Sequence, residues 1–162
     1  MNNNLPEHRK RDYKLITSNK KAFFNYEIIS KIEAGIQLTG TEVKSLRNGK
    51  CSLQDAYCFF PNKDNDDLYC VNIHIAEYEQ GNIYNHEPKR RRKILLHKRE
   101  QIRWRSLVNE KAYTIVPTEI YFSGHLVKIE IALVRPKKNF DKRETVKKRD
   151  TEREIRRVVK NY

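Results

Sequence analysis

The sequence predicts a mainly β protein: a closed antiparallel β-barrel of about six strands, two or three flanking helices and a basic C-terminal tail. Three observations carry this. Apolar and polar residues alternate with a period of two through much of residues 1–134, as they do along half-buried strands. Only two segments of that stretch show helical patterning, and many short strands leave no exposed edge when a sheet closes on itself. The last 28 residues then change character, with 12 basic and 5 acidic residues for a net of +7, whereas the preceding 134 carry only +6 of the total of +13. The boundary is placed at 134–136, where Pro136 ends a strand-like run. Residues 1–134 thus form the folded domain and 135–162 the tail.

The elements follow in order. Phe23–Ile32 and Gly35–Leu38 read as strands. Thr41 is a good N-cap with Glu42 in the first turn, Val43 and Leu46 facing inward and Gly49 able to terminate the helix. Ser52–Phe60 is the next strand, and Asn62–Asp67 is a polar, acidic loop. Tyr69–Tyr78 places Val71, Ile73 and Ile75 on one face. A second helix is expected within Lys98–Glu110. Ile115–Phe122 and the alternating Val127, Ile129, Ile131 and Leu133 form a hairpin about Ser123-Gly124. In the tail, Ile155, Val158, Val159 and Tyr162 fall on one helical stripe, and neither Gly nor Pro interrupts Asn139–Tyr162. An isolated helix of this kind is marginal without a surface to pack on. The tail is therefore expected to be disordered when free and helical on its partner.

Composition narrows the function. Thirty-four Lys+Arg against 21 Asp+Glu favour a polyanionic partner, because side chains that neutralise phosphates release condensed counterions. No run of about 18 apolar residues suggests a membrane span, and the Met1-Asn-Asn-Asn-Leu-Pro start lacks the apolar stretch of a signal peptide, so a cytoplasmic address is expected. Cys51, Cys58 and Cys70 are odd in number, lack a C-x-x-C pair and read as reduced core thiols. Cys70 and His74 could share one face of a strand, but two ligands do not make a closed zinc site. His8, His74, His86, His97 and His125 form no recognisable triad, and Gly35 and Gly40 lack the signature of a phosphate loop. Neither catalysis nor a cofactor is expected. Lys89-Arg-Arg-Arg-Lys93 is five consecutive basic residues, and 9 Tyr, 6 Phe and 1 Trp supply rings, some of which could stack on unpaired bases. Composition and pattern lead to a shape-reading RNA binder with a mobile basic tail.

Four segments resemble one family. Glu33–Gly49 looks like the hallmark block of SsrA-binding proteins, also called small protein B. His86–His97 resembles the second block of that family, Tyr113–Pro117 with Val127-Lys128 the third, and Lys137–Arg143 the basic motif that opens its tail. The resemblance implies an oligonucleotide-binding (OB-like) barrel that binds the tRNA-like domain of tmRNA. It also implies delivery to stalled ribosomes for trans-translation, with elongation factor Tu escorting the complex and the tail becoming helical in the empty mRNA channel of the small subunit, near the decoding centre. Carried over by position, Asn19, Lys20, Glu33, Lys44, Arg47, Arg92, Ile94 and Lys128 resemble the RNA-facing set. Lys137, Lys138, Asp141, Lys142, Arg143, Val158, Val159 and Lys160 resemble the ribosome-facing tail set. Arg135-Pro136-Lys137-Lys138 departs from the family's Lys-Gly-Lys-Lys, and Ala112 replaces a usual Gly. A Glu such as Glu33 is chemically sensible in an RNA-facing set, since a carboxylate accepts hydrogen bonds from base amino groups or a ribose 2′-OH; it could equally pair with Lys44 or Arg47. From the residues alone, an RNA-cleaving enzyme using His86 or His97, or a structural ribosomal protein, stays open.

Overall fold

The computed structural model describes residues 13–61 and 66–160, with residues 139–140 and 158–160 described by backbone only. In chain order the elements are β1 (Tyr13–Ser18), α1 (Lys20–Asn25), β2 (Tyr26–Ile36), α2 (Gly40–Arg47), β3 (Cys51–Ser52), β4 (Tyr57–Phe59), β5 (Leu68–Val71), β6 (His74–Ile75), a 3-10 turn (Asn82–Tyr84), β7 (Arg92–Leu95), α3 (Lys98–Lys111), β8 (Thr114–Ser123), β9 (Leu126–Pro136) and α4 (Asn139–Lys160). Antiparallel pairings run β8-β4-β5-β7-β2-β9 and return to β8, a ring of six strands; β1 adds to β8 beyond it, and β3 pairs with β6 separately.

The ring encloses the main core, in which Leu46, Leu53, Leu68, Ile73, Ile75, Ile94, Ile115, Ile120, Ile129, Ile131 and Leu133 are buried. Trp104 on α3 joins it, and among the described residues is the one buried side chain of that helix. A second, smaller cluster of Ala22, Val116, Ala132 and Val134 lies beneath α1. It explains why β8 and the distal half of β9 are buried on both faces where simple alternation predicts a wet face for Ala132.

Asn19 and Pro117 set the position of α1. Pro117 has no N–H to give to a ladder and is tolerated in a strand chiefly at an edge or bulge. Here the β8–β9 register shifts between Pro117 and Glu119. Asn19 occupies the irregularity: its N–H donates to the Thr118 carbonyl at 2.7 Å, and its Nδ2 donates to Pro117 O at 3.2 Å and to Leu53 O at 3.0 Å. Its Oδ1 accepts the Ala22 N–H at 3.0 Å, capping α1.

Several sequence expectations are corrected. Phe23 lies in α1, not in a strand, because Asn19 nucleates a helix there, and β2 then runs unbroken from Tyr26 to Ile36. Ser52–Phe60 and Tyr69–Tyr78 each break in two, at Asp55 (φ 61°) and Asn72 (φ 60°). The kink at Asn72 also changes the inward phase, from Leu68 and Cys70 to Ile73 and Ile75, leaving Val71 half-buried. α2 is capped at Thr39, not Thr41, and Gly49 follows it at φ +70°. β1 and β7 were not anticipated. Residues 62–65 of the acidic loop and Tyr162 of the tail stripe lie outside the described residues.

Burial pushes the Cys51 thiol up to about 12 despite the nearby Arg92 charge, and it pushes Cys58, which faces Cys70 across β4 and β5, up as well. All three cysteines are free thiols, with Cys58 and Cys70 buried.

Ala112 closes α3 in the left-handed conformation, at φ 50°. A Cβ there costs about 1–2 kcal/mol, against about 0.5–1 kcal/mol for the extra freedom of Gly in the unfolded chain. Ala112→Gly should therefore raise stability, by roughly 0.5–1 kcal/mol in urea unfolding.

Candidate RNA interface

The interface is built on one buried ion pair. Glu42, in the first turn of α2, accepts the Thr39 N–H at 2.7 Å and turns inward, fully buried. Arg92 of β7, also fully buried, meets it with Nε at 2.9 Å and Nη2 at 2.7 Å from Oε1. The other guanidinium hydrogens reach backbone carbonyls: Nη1 donates to Ile73 at 2.6 Å and Arg90 at 3.1 Å, and Nη2 donates to Pro88 at 3.1 Å. Arg90 closes the other side of the carboxylate, with Nε 2.8 Å from Oε1 and Nη2 2.6 Å from Oε2. Burial pushes the Glu42 carboxyl up, but the hydrogen bonds from Arg90 and the Thr39 N–H and the charge of Arg92 outweigh it and hold it below the usual value.

Glu42 aims α2. With one face locked to β7, the opposite face carries Lys44 and Arg47 into solvent, Lys44 lying 5.5 Å over the Tyr78 ring. Within the ring, the register aligns Leu95, Gly35, Lys128 and Tyr121 in a row across β7, β2, β9 and β8. Glu33 stands at this row: Tyr121 Oη donates to its Oε2, and Lys128 Nζ lies 3.8 Å from its Oε1. These are not the helix cations proposed as its partners from sequence. Glu33 and Lys128 remain partly exposed and held in place, able to accept from a base edge and to meet a phosphate.

Of the residues carried over by resemblance, Lys20, Glu33, Lys44, Arg47 and Lys128 are thus at the surface. Three are not. Asn19 spends both donors and its acceptor on the backbone, Arg92 is consumed by Glu42 and three carbonyls, and Ile94 is a core side chain at 0% exposure. All three side chains are held inside the fold. The sequence did not mark Leu95 as a surface residue; it is 51% exposed and lies beside Gly35, where a Cβ would come within 3.2 Å of the leucine. Reading Arg92–Leu95 as a strand would have found it, since alternation turns Leu95 outward once Ile94 is inward. The basic run likewise divides: Lys89 is exposed, Arg90 and Arg92 serve Glu42, Arg91 lies 4.9 Å over Tyr69, and Lys93 pairs with Asp67 at 2.7 Å.

At the tail, the Lys137 N–H donates to Asn25 O at 3.0 Å and its Nζ to Phe23 O at 3.2 Å, while Lys138 and Arg143 are exposed and Asp141 and Lys142 half-buried. Arg149 of α4 lies 5.3 Å over Phe24. Ile155 is 56% exposed; the side chains of Val158, Val159 and Lys160 lie outside the described residues. Among the described residues no cluster of three or more His, Cys, Asp or Glu could hold a metal ion, and no helix is long and apolar enough to cross a membrane.

Glu42→Gln leaves the Arg92 charge buried and unpaired, and should cost about 3–5 kcal/mol in urea unfolding at pH 7. A depressed folded pKa places the carboxylate's contribution above the unfolded value of about 4.3 and removes it as pH falls through the folded value. The gap between wild type and Glu42→Gln should therefore narrow below about pH 4.

Comparison with known proteins finds relatives over most of the chain. The family model described as SmpB protein matches residues 16–161. An SsrA-binding protein of Carboxydothermus hydrogenoformans is 49% identical over 147 residues, covering 91% of this chain and 97% of its own length. One of Magnetococcus marinus is 51% identical over 148 residues, covering 91% and 97%. A chain of the solved structure described as "tmRNA-SmpB: a journey to the center of the bacterial ribosome" is similar with a TM-score of 0.63 and 43% identity, over 76% of this chain and 85% of that one.

Proposed function

Since the chain belongs to the SmpB family of SsrA-binding proteins, we propose that its body binds the tRNA-like domain of tmRNA and delivers it to stalled ribosomes for trans-translation. The observation that carries this reading is the surface row Leu95–Gly35–Lys128 with Glu33 beside it, together with the solvent-facing Lys44 and Arg47 of α2. An apolar side chain, a close-approach glycine, a carboxylate and several cations suit an RNA whose bases are splayed open, with Glu33 reading a base edge or 2′-OH and the cations meeting phosphates.

In this reading the six-strand ring is an OB-like closed barrel, the role is binding and not catalysis, and the protein works in the cytoplasm. Elongation factor Tu escorts the complex. The tail, residues 135–162, is disordered in the free protein, and the helical form described as α4 (Asn139–Lys160) is the one it takes in the empty mRNA channel beside the small-subunit decoding centre. There Lys137, Lys138, Lys142, Arg143 and Lys160 meet ribosomal RNA, Asp141 belongs to the same set, and Val158 and Val159 pack on the channel wall.

Two measurements test this. Lys128→Ala should weaken tmRNA binding and lower the slope of log Kd against log salt by about one, the signature of one lost phosphate contact; an unchanged slope would remove Lys128 from the interface. Removing residues 136–162 should leave tmRNA binding largely intact while abolishing peptide tagging in a reconstituted translation assay.

A further inference from the structure

We propose that Ile83 and Tyr84 form a wedge that stacks on an unpaired base of the RNA held by the body, a contact that rests on the RNA-binding reading above. They are 87% and 83% exposed, the two most exposed large hydrophobic side chains among the described residues. Single exposed hydrophobics are ordinary on protein surfaces. Two adjacent ones on a tightly fastened loop are not.

The fastening is specific. Asn85 clips the loop shut on Tyr78 in both directions, Oδ1 accepting the Tyr78 N–H at 3.0 Å and Nδ2 donating to the Tyr78 carbonyl at 2.7 Å. The Gly81 N–H donates to the same carbonyl at 2.8 Å, and the Tyr84 N–H donates to Gly81 O at 3.0 Å. Asn82 adopts φ 47° to turn the chain at the tip. Just beyond, His86 is anchored through Nδ1 to Thr41 Oγ1 at 3.0 Å and through Nε2 to the Ile75 carbonyl at 3.1 Å. A loop so constrained has already lost the freedom that a flexible one would lose on docking.

Charge identifies the occupant. Lys44 lies over Tyr78 at the foot of the loop, and Lys50 pairs with Glu79, so the cationic face of α2 ends where the loop begins. Phosphates that meet Lys44 and Arg47 bring their bases toward the tip. Glu77 and Glu79 are exposed on the loop itself and repel phosphate there, which selects the uncharged base as the group that reaches Ile83 and Tyr84. An aromatic ring accepts any base face, and an apolar neighbour can hold adjacent bases apart.

The test uses the full chain and a transcript of the tRNA-like domain of tmRNA, with Kd measured across a salt series. Tyr84→Ala should weaken binding about tenfold, as the loss of one stacked base does, and Tyr84→Phe should restore it. The salt slope should stay unchanged, because no phosphate contact is removed, and the melting temperature should stay at the wild-type value. Wild-type affinity in the Ile83→Ala, Tyr84→Ala double variant would overturn the wedge; if ribosome association fell in that variant instead, the pair would belong to a protein contact. A wild-type chain that fails to bind the transcript would overturn the RNA-binding reading and the wedge with it.

Discussion

A carboxylate buried at the start of α2 holds the architecture of this surface together. Glu42 and Arg92 are both fully buried, and desolvating two such charges costs several kcal/mol per ion unless their remaining hydrogen-bonding capacity is used. Here it is used: Arg90 and the Thr39 N–H complete the carboxylate, and three carbonyls complete the guanidinium. Those carbonyls belong to Ile73, Pro88 and Arg90, on chain segments with few ladder bonds of their own. One side chain therefore fixes the helix, a strand of the ring and the loops between them. A lysine could not do this, since its compact ammonium lacks the planar fork.

Asn19 plays the corresponding part on the other side of the molecule. Pro117 and the register shift beside it leave carbonyls turned away from the β8–β9 ladder, and one asparagine takes two of them while starting α1. Both residues lie in segments that resemble RNA-facing motifs, yet both work through position. Buried polar side chains set which neighbours face outward: Lys20 is exposed beside the buried Asn19, and Lys44 and Arg47 face outward where Glu42 faces in.

Much of this was legible in the sequence, and the remainder fails for identifiable reasons. The β8–β9 hairpin was readable because period-two alternation and the Ser123-Gly124 turn are local signals. Both central helices were readable too, with the cap of α2 displaced by two residues. β7 was hidden because Arg92 lies inward against expectation for its residue type, and only the distant Glu42, 50 positions away, makes that tolerable. The same blind spot hid that Ile94 faces the core while Leu95 faces solvent. α1 was hidden because Phe23 and Phe24 suit a strand by propensity, and the cap that overrides them depends on a bulge about 100 residues later. The charges of the basic run were visible, but which of them would be taken up by Glu42 and Asp67 was not.

The pairing of the chain's beginning with its end has a consequence for synthesis. β1 pairs with β8, and β2 pairs along its length with β9, up to Pro136 opposite Tyr26. Such long-range pairings require the closure of large loops before any reward, and they slow folding. During translation the open edge of β2 must wait, unpaired, until roughly a hundred further residues have emerged, and an unpaired edge is a template for aggregation. Only when Pro136 leaves the exit tunnel can the ring be completed, so the nascent chain is most vulnerable just before the basic tail begins to appear.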